Sequence, residues 1–130
     1  MYLGALVRHT ESYAGCLDWP LCNGQWIPEL TGGTGINFMH RFSALVLFIL
    51  VAVMTWMAVK RRMDADLRKS AYAAFATLIL QVLSGAWVTF TLSNQDIFVF
   101  TALVHTVIIA ALFSILSYMS IEMWRRRNAA

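Results

Sequence analysis

The chain has 130 residues, of which 59% are hydrophobic and 13% charged, with a net charge of +3. A soluble domain of this size would carry about a quarter charged residues, so the composition excludes an ordinary soluble fold. The small positive excess sits at the ends of apolar blocks, which speaks for membrane topology and against nucleic-acid binding.

Residues 1–7 are apolar but far too short to span a bilayer, and they lack the basic start and long apolar stretch of a signal peptide. They are expected to form the stub of a first helix, its last two turns, as in a fragment or a chain that starts late. Residues 8–35 follow as a loop of about 28 residues, long for a membrane connector. Trp19-Pro20, Trp26 and Pro28 suit a compact cap on the outer surface. Gly32-Gly33-Thr34-Gly35 leads into the next helix, with Thr34 or Asn37 as the expected N-cap.

Three apolar segments follow, at 36–59, 70–93 and 97–124. The first carries a single charge in its span, Arg41, and the second carries none. About 20 residues suffice to cross the hydrocarbon as a helix, so each is read as a full transmembrane helix. The turns between them are short, and neighbours therefore run antiparallel. The expected fold is an all-α membrane protein: an antiparallel transmembrane bundle of three full helices plus the stub of a first one, forming one half-domain over 1–130. Ser84-Gly85 is a small pair that lets another helix or a flat cofactor come close; plain helix packing explains it equally well.

Charge placement gives the orientation. Lys60, Arg61, Arg62, Arg68 and Lys69 lie in one turn and Arg125, Arg126 and Arg127 in the tail, on the same side if three helices alternate. Only Arg8 and Arg41 fall on the other side. The basic turn and C-terminus are read as cytoplasmic and the cysteine loop as outside, in a multi-pass protein of the inner (cytoplasmic) membrane. Cys16 and Cys22 then face an oxidising space, which favours a disulfide. The alternatives are two free thiols or part of a zinc site with His9, for which no full ligand set lies nearby.

Two histidines stand out, His40 and His105, each inside an apolar span. A histidine in hydrocarbon is costly and is read first as functional. From the expected helix starts, His40 lies about 6 Å and His105 about 12 Å below the outer end. Two imidazoles at such depths can grip one metal centre, and heme iron suits them best in a helix bundle. Arg41 and Arg8 are near enough to the outer interface to pair with a heme propionate. Ala44, Leu47 and Phe48, with Ala102, Ile109 and Leu112, have the spacing of a porphyrin wall, although such residues more often face lipid or a neighbouring helix. The plainer reading of each histidine is a hydrogen bond across helices, and of His9 a solvated loop residue. No carboxylate lies within a span: Glu29 and Asp96 are in outer turns and Glu122 is at the inner end. That argues against an ion pump and removes the obvious general acid or base.

The runs Gly4-Ala5-Leu6-Val7-Arg8-His9-Thr10-Glu11-Ser12, Cys16-Leu17-Asp18-Trp19-Pro20-Leu21-Cys22-Asn23-Gly24, Met39-His40-Arg41 and Leu80-Gln81-Val82-Leu83-Ser84-Gly85, followed by His105, resemble the heme A synthase family in order and spacing. The resemblance covers nearly the whole chain. It implies two similar four-helix halves, one taking heme O and the other holding heme b between two histidines, with a methyl group of heme O oxidised to the formyl group of heme A for cytochrome oxidase. His40 and His105 match the axial ligands, and Cys16 and Cys22 the loop cysteine pair. The Arg8-His9-Thr10-Glu11-Ser12 run and the basic C-terminal stop resemble the second, heme b-holding half, while Trp26-Ile27-Pro28-Glu29-Leu30 resembles the first half's loop. The substrate half carries a glutamate three residues before its first ligand histidine; here that position is Asn37, so the chain alone is expected to be inactive. The implied partners are heme O, the lipid bilayer, the missing N-terminal half or a second chain, and heme O synthase. Competing readings are a non-enzymatic bis-histidine cytochrome for electron transfer, a thiol–disulfide oxidoreductase using Cys16 and Cys22, and a heme-free structural subunit.

Overall fold

The structure, a computed structural model, describes residues 2–129, with side chains to 128. It contains helix α1 (Tyr2–His9), a 3-10 turn (Ser12–Gly15), and helices α2 (Gly32–Lys60), α3 (Ala65–Phe90) and α4 (Gln95–Ala129). The last three are long and apolar enough to cross a membrane. In hydrocarbon a backbone must satisfy its own hydrogen bonds, and the helix does so within one segment. The fold is an all-α antiparallel membrane bundle, and the protein is a multi-pass membrane protein.

The helix boundaries differ from the sequence expectation in instructive ways. α2 begins four residues before 36, after Thr31, whose carbonyl accepts from Gly35 N at 3.1 Å. Thr34 and Asn37 therefore lie inside the helix, and neither is its N-cap. The chain doubles back tightly there: a Cβ on Gly35 would sit 2.7 Å from the Leu30 carbonyl carbon. At its other end α2 stops in a Schellman motif, with Arg62 N donating to Val59 O and Met63 N to Ala58 O. Arg62 takes the left-handed conformation that glycine usually supplies (φ 49°). Met63 tucks against the apolar core, which holds the turn in place. α3 begins at Ala65 rather than 70, because Asp66, Arg68 and Lys69 extend the helix into the polar layer without breaking it. α4 is capped by Asn94, whose Oδ1 accepts from Ile97 N at 3.2 Å.

α1 packs on α2, α2 on α3 and α3 on α4, and α2 and α4 both contribute to one apolar core. The core lies in the half of the bundle nearer the basic end, around Val51, Ala58, Ala71, Ala74, Leu78, Leu112 and Met119. Ala71 and Ala74 are wholly buried, and such small residues let helix backbones approach. Thr55 Oγ1 reaches across to the Ala71 carbonyl at 3.1 Å. Leu47, Phe48 and Ile109 pack on this cluster and Leu112 is part of it. These four expected cofactor-wall residues are thus core, since they sit one to two turns too far toward the basic end.

At the basic end, Arg126 pairs with Asp64 of the α2–α3 turn and with Glu122 of its own helix. Both basic clusters therefore share one end of the bundle. Large apolar side chains such as Leu45, Ile49, Leu83, Leu103 and Phe113 are more than half exposed, the surface expected of helices solvated by lipid.

Candidate functional site

The end opposite the basic turn is built around the long loop. Cys16 and Cys22 are joined by a disulfide and both are buried. The bond removes both sulfurs as thiolate ligands, so the zinc alternative is replaced by a covalent staple. Inside the loop, the Asp18 carboxylate accepts from Gly24 N at 2.8 Å, and Asn23 Nδ2 donates to Gly15 O at 2.9 Å. Tyr13 stacks at 4.8 Å on Phe98, tying the loop to the start of α4.

Two residues of α2 fasten this cap. Asn37 is buried, and its Nδ2 donates to the carbonyls of Ser12 and Tyr13, both at 3.0 Å. Its Oδ1 accepts from Arg41 Nε at 3.0 Å. Arg41 Nη1 donates to the carbonyls of Asp18 at 2.7 Å and Leu21 at 2.8 Å. Its Nη2 donates to the Cys16 carbonyl at 3.2 Å and to Thr89 Oγ1 at 3.3 Å. A guanidinium has five N–H donors in a fixed fork, and here all five are engaged. Its side chain is a strut between loop, α2 and α3, holding loop carbonyls that accept from no other donor among the described residues. Arg8 lies exposed at the end of α1, with His9 beside it, also exposed.

The two membrane histidines lie one layer deeper. With α2 starting at Gly32 and α4 at Gln95, His40 is about 12 Å and His105 about 15 Å along its helix, a closer match in depth than the expected starts gave. Each imidazole rests on a glycine. A Cβ on Gly4 would be 3.4 Å from His40 Cε1, and one on Gly85 would be 3.2 Å from His105 Cε1. His105 is held by α3: Ser84 Oγ lies 2.8 Å from its Nδ1 and Gln81 Nε2 lies 2.9 Å from its Nε2. Gln81 Oε1 is buried without a hydrogen-bond partner among the described residues. In contrast to this held ring, no hydrogen bond fixes the His40 ring among the described residues.

This donor set fits heme. Two imidazoles stand on separate helices, glycines clear room at both rings, and an orphaned amide oxygen marks polar packing that is incomplete without a further group. A shallow groove beside the loop, lined by Tyr13, Ala14, Leu17, Thr89 and Phe90, is a separate feature nearer the loop end.

Sequence reasoning singled out both histidines and the small pair Ser84-Gly85, but not Gln81 and Ser84 as polar companions of His105. Gln81, Ser84 and Gly85 sit at i, i+3 and i+4, so one helix face carries all three. Polar residues at that spacing in an apolar span were the available signal. Asn37 was legible only as a departure at a glutamate position; its work as a loop clamp needs the partner carbonyls, which come from residues 24 and 25 positions away.

Comparison with known proteins gives the family. The COX15-CtaA family, described as cytochrome oxidase assembly protein, matches residues 29–117. The chain is 41% identical to a heme A synthase of Symbiobacterium thermophilum over 119 residues, 92% of this chain and 38% of that protein. It is 36% identical to that of Halalkalibacterium halodurans over 131 residues, 100% of this chain and 42% of the relative. The heme A synthase of Alkalihalophilus pseudofirmus is also 36% identical, over 96% of this chain and 41% of its own length. The chain thus spans about two fifths of the length of the curated relatives it matches. By this match it belongs to the COX15-CtaA family of cytochrome oxidase assembly proteins.

Proposed function

We propose that this chain is the heme b-holding half of a heme A synthase, the enzyme that turns heme O into heme A for cytochrome oxidase. The observation that carries the reading is the pair of imidazoles, His40 on α2 and His105 on α4, at matched depth and each seated on a glycine. His40 and His105 would be the axial ligands, with Gly4 and Gly85 giving the rings their place. A heme with both axial positions filled by imidazole exchanges electrons and offers no open position for substrate. Arg8, exposed at the loop end, is the guanidinium left to meet a propionate, since Arg41 is committed to the loop. Oxidation of the heme O methyl belongs to the remaining half: no carboxylate lies in the interior of a span here, and Asn37 stands where the family's substrate half has its glutamate. The positive-inside pattern puts the basic end in the cytoplasm and the disulfide loop outside.

The test is spectroscopic. Purified protein is expected to show a low-spin bis-histidine heme b spectrum, lost in both His40→Ala and His105→Ala; unchanged heme content in either variant defeats the assignment. Expressed alone in a host that supplies heme O but lacks its own synthase, the chain is expected to yield no heme A. Heme A should appear only when a glutamate-bearing half is co-expressed, and its appearance without one would refute the division of labour.

A further inference from the structure

A serine hydroxyl carries one proton, and at Ser84 its destination is fixed. Ser84 Oγ lies 3.0 Å from the carbonyl of Gln81, to which only a donor can bond. The proton therefore points at that carbonyl, and toward His105 the same oxygen can only accept. Its 2.8 Å contact with His105 Nδ1 is then an Nδ1–H donating to Oγ. That direction puts the proton on Nδ1 and the lone pair on Nε2. Gln81 Nε2 lies 2.9 Å from His105 Nε2 and 3.2 Å from Nδ1, over the ring rather than in line with either nitrogen, so it leaves the Nε2 lone pair open.

We propose that Ser84 is a positioning residue that presents His105 Nε2 as the ligating nitrogen. The proposal rests on the reading of His105 as a heme ligand and goes beyond it to the residue that prepares the ligand. The Ser84 contact is on the far nitrogen and survives ligation; such a contact raises the electron-donating power of the imidazole.

The test is a redox titration of the full-length protein, purified with its heme, for wild type, Ser84→Ala, Ser84→Thr and Ser84→Val. A stronger imidazole donor favours ferric iron, so loss of the hydroxyl is expected to shift the midpoint potential upward in Ala and Val. Threonine keeps the hydroxyl and is expected to titrate with wild type. Threonine and valine match in volume and branching, so this pair isolates the hydroxyl even where alanine folds poorly. Loss of heme from Ser84→Val but not from Ser84→Thr is the stronger form of the same result. Equal midpoints for Thr and Val overturn the proposal. Wild-type protein with no bis-histidine heme brings down the parent reading as well. It is distinguishable because no sample then has a midpoint to compare.

Discussion

At the scale of single residues, the glycines under the two imidazoles are the most exacting positions. A Cβ on Gly85 would press His105 Cε1 at 3.2 Å, closer than ordinary contact, whereas one on Gly4 would meet His40 at 3.4 Å. Gly85→Ala is therefore expected to lower the heme-to-protein ratio, and Gly4→Ala to leave it nearly intact. Equal ratios for the two variants would show that the rings are not seated as described. Arg41 makes a second test. Lysine keeps the charge but cannot serve five acceptors with one ammonium. Hydrogen bonds to a charged group contribute about 1.5–3 kcal/mol each, so Arg41→Lys is expected to cost roughly 2–3 kcal/mol net and to free the loop. Limited proteolysis from the loop side should cut faster in the variant; an unchanged cutting rate would remove the strut role.

At the scale of elements, the loop of residues 10–31 behaves as a cap built from three fasteners: the disulfide, the Asn37–Arg41 pair and the Tyr13–Phe98 contact. They are coupled, because the Cys16 and Leu21 carbonyls that Arg41 holds lie within the short ring closed by the disulfide. Opening a ring of this size releases about 2 kcal/mol of chain-entropy stabilisation. Cys16→Ser with Cys22→Ser is expected to lower thermal stability by that order and to reproduce part of the proteolytic sensitivity of Arg41→Lys. Combining it with Arg41→Lys should add less than the sum of the separate effects, since both act on one segment. Full additivity would mean the fasteners are independent. The ion pairs at the other end are different in kind. Arg126 and Asp64 are largely exposed, and such surface pairs contribute about 0–1 kcal/mol.

At the scale of the whole molecule, the charges and the helices agree on a direction. The Arg126–Asp64 contact brings the tail and the α2–α3 turn together, so eight of the ten cations gather at one end. Phosphatase reporters fused after residue 30 are expected to be active, and those fused after residue 128 inactive, in a host where the enzyme works only outside the cytoplasm. The opposite pattern would invert the topology. The packing of α1 on α2, α2 on α3 and α3 on α4 joins the two histidine-bearing helices through one core nearer the basic end, while His40 and His105 lie toward the other end.

The sequence by itself determined the three spans, their alternation and that His40 and His105 lie inside two of them. Each of these follows from local composition: an apolar run of sufficient length has only the helix as a solution in lipid, and a residue's depth is then its count from the helix end. Helix ends were less legible, because capping depends on neighbours: Arg62 in a left-handed turn and α3 running through its own charges carry no simple local signature. Only the tertiary structure decided the tasks of Asn37, Arg41, Gln81 and Ser84. A polar side chain in an apolar span must find a partner, but which one depends on the carbonyls and rings that distant segments bring to it, such as the Cys16 carbonyl 25 residues before Arg41 and the His105 ring 21 residues after Ser84.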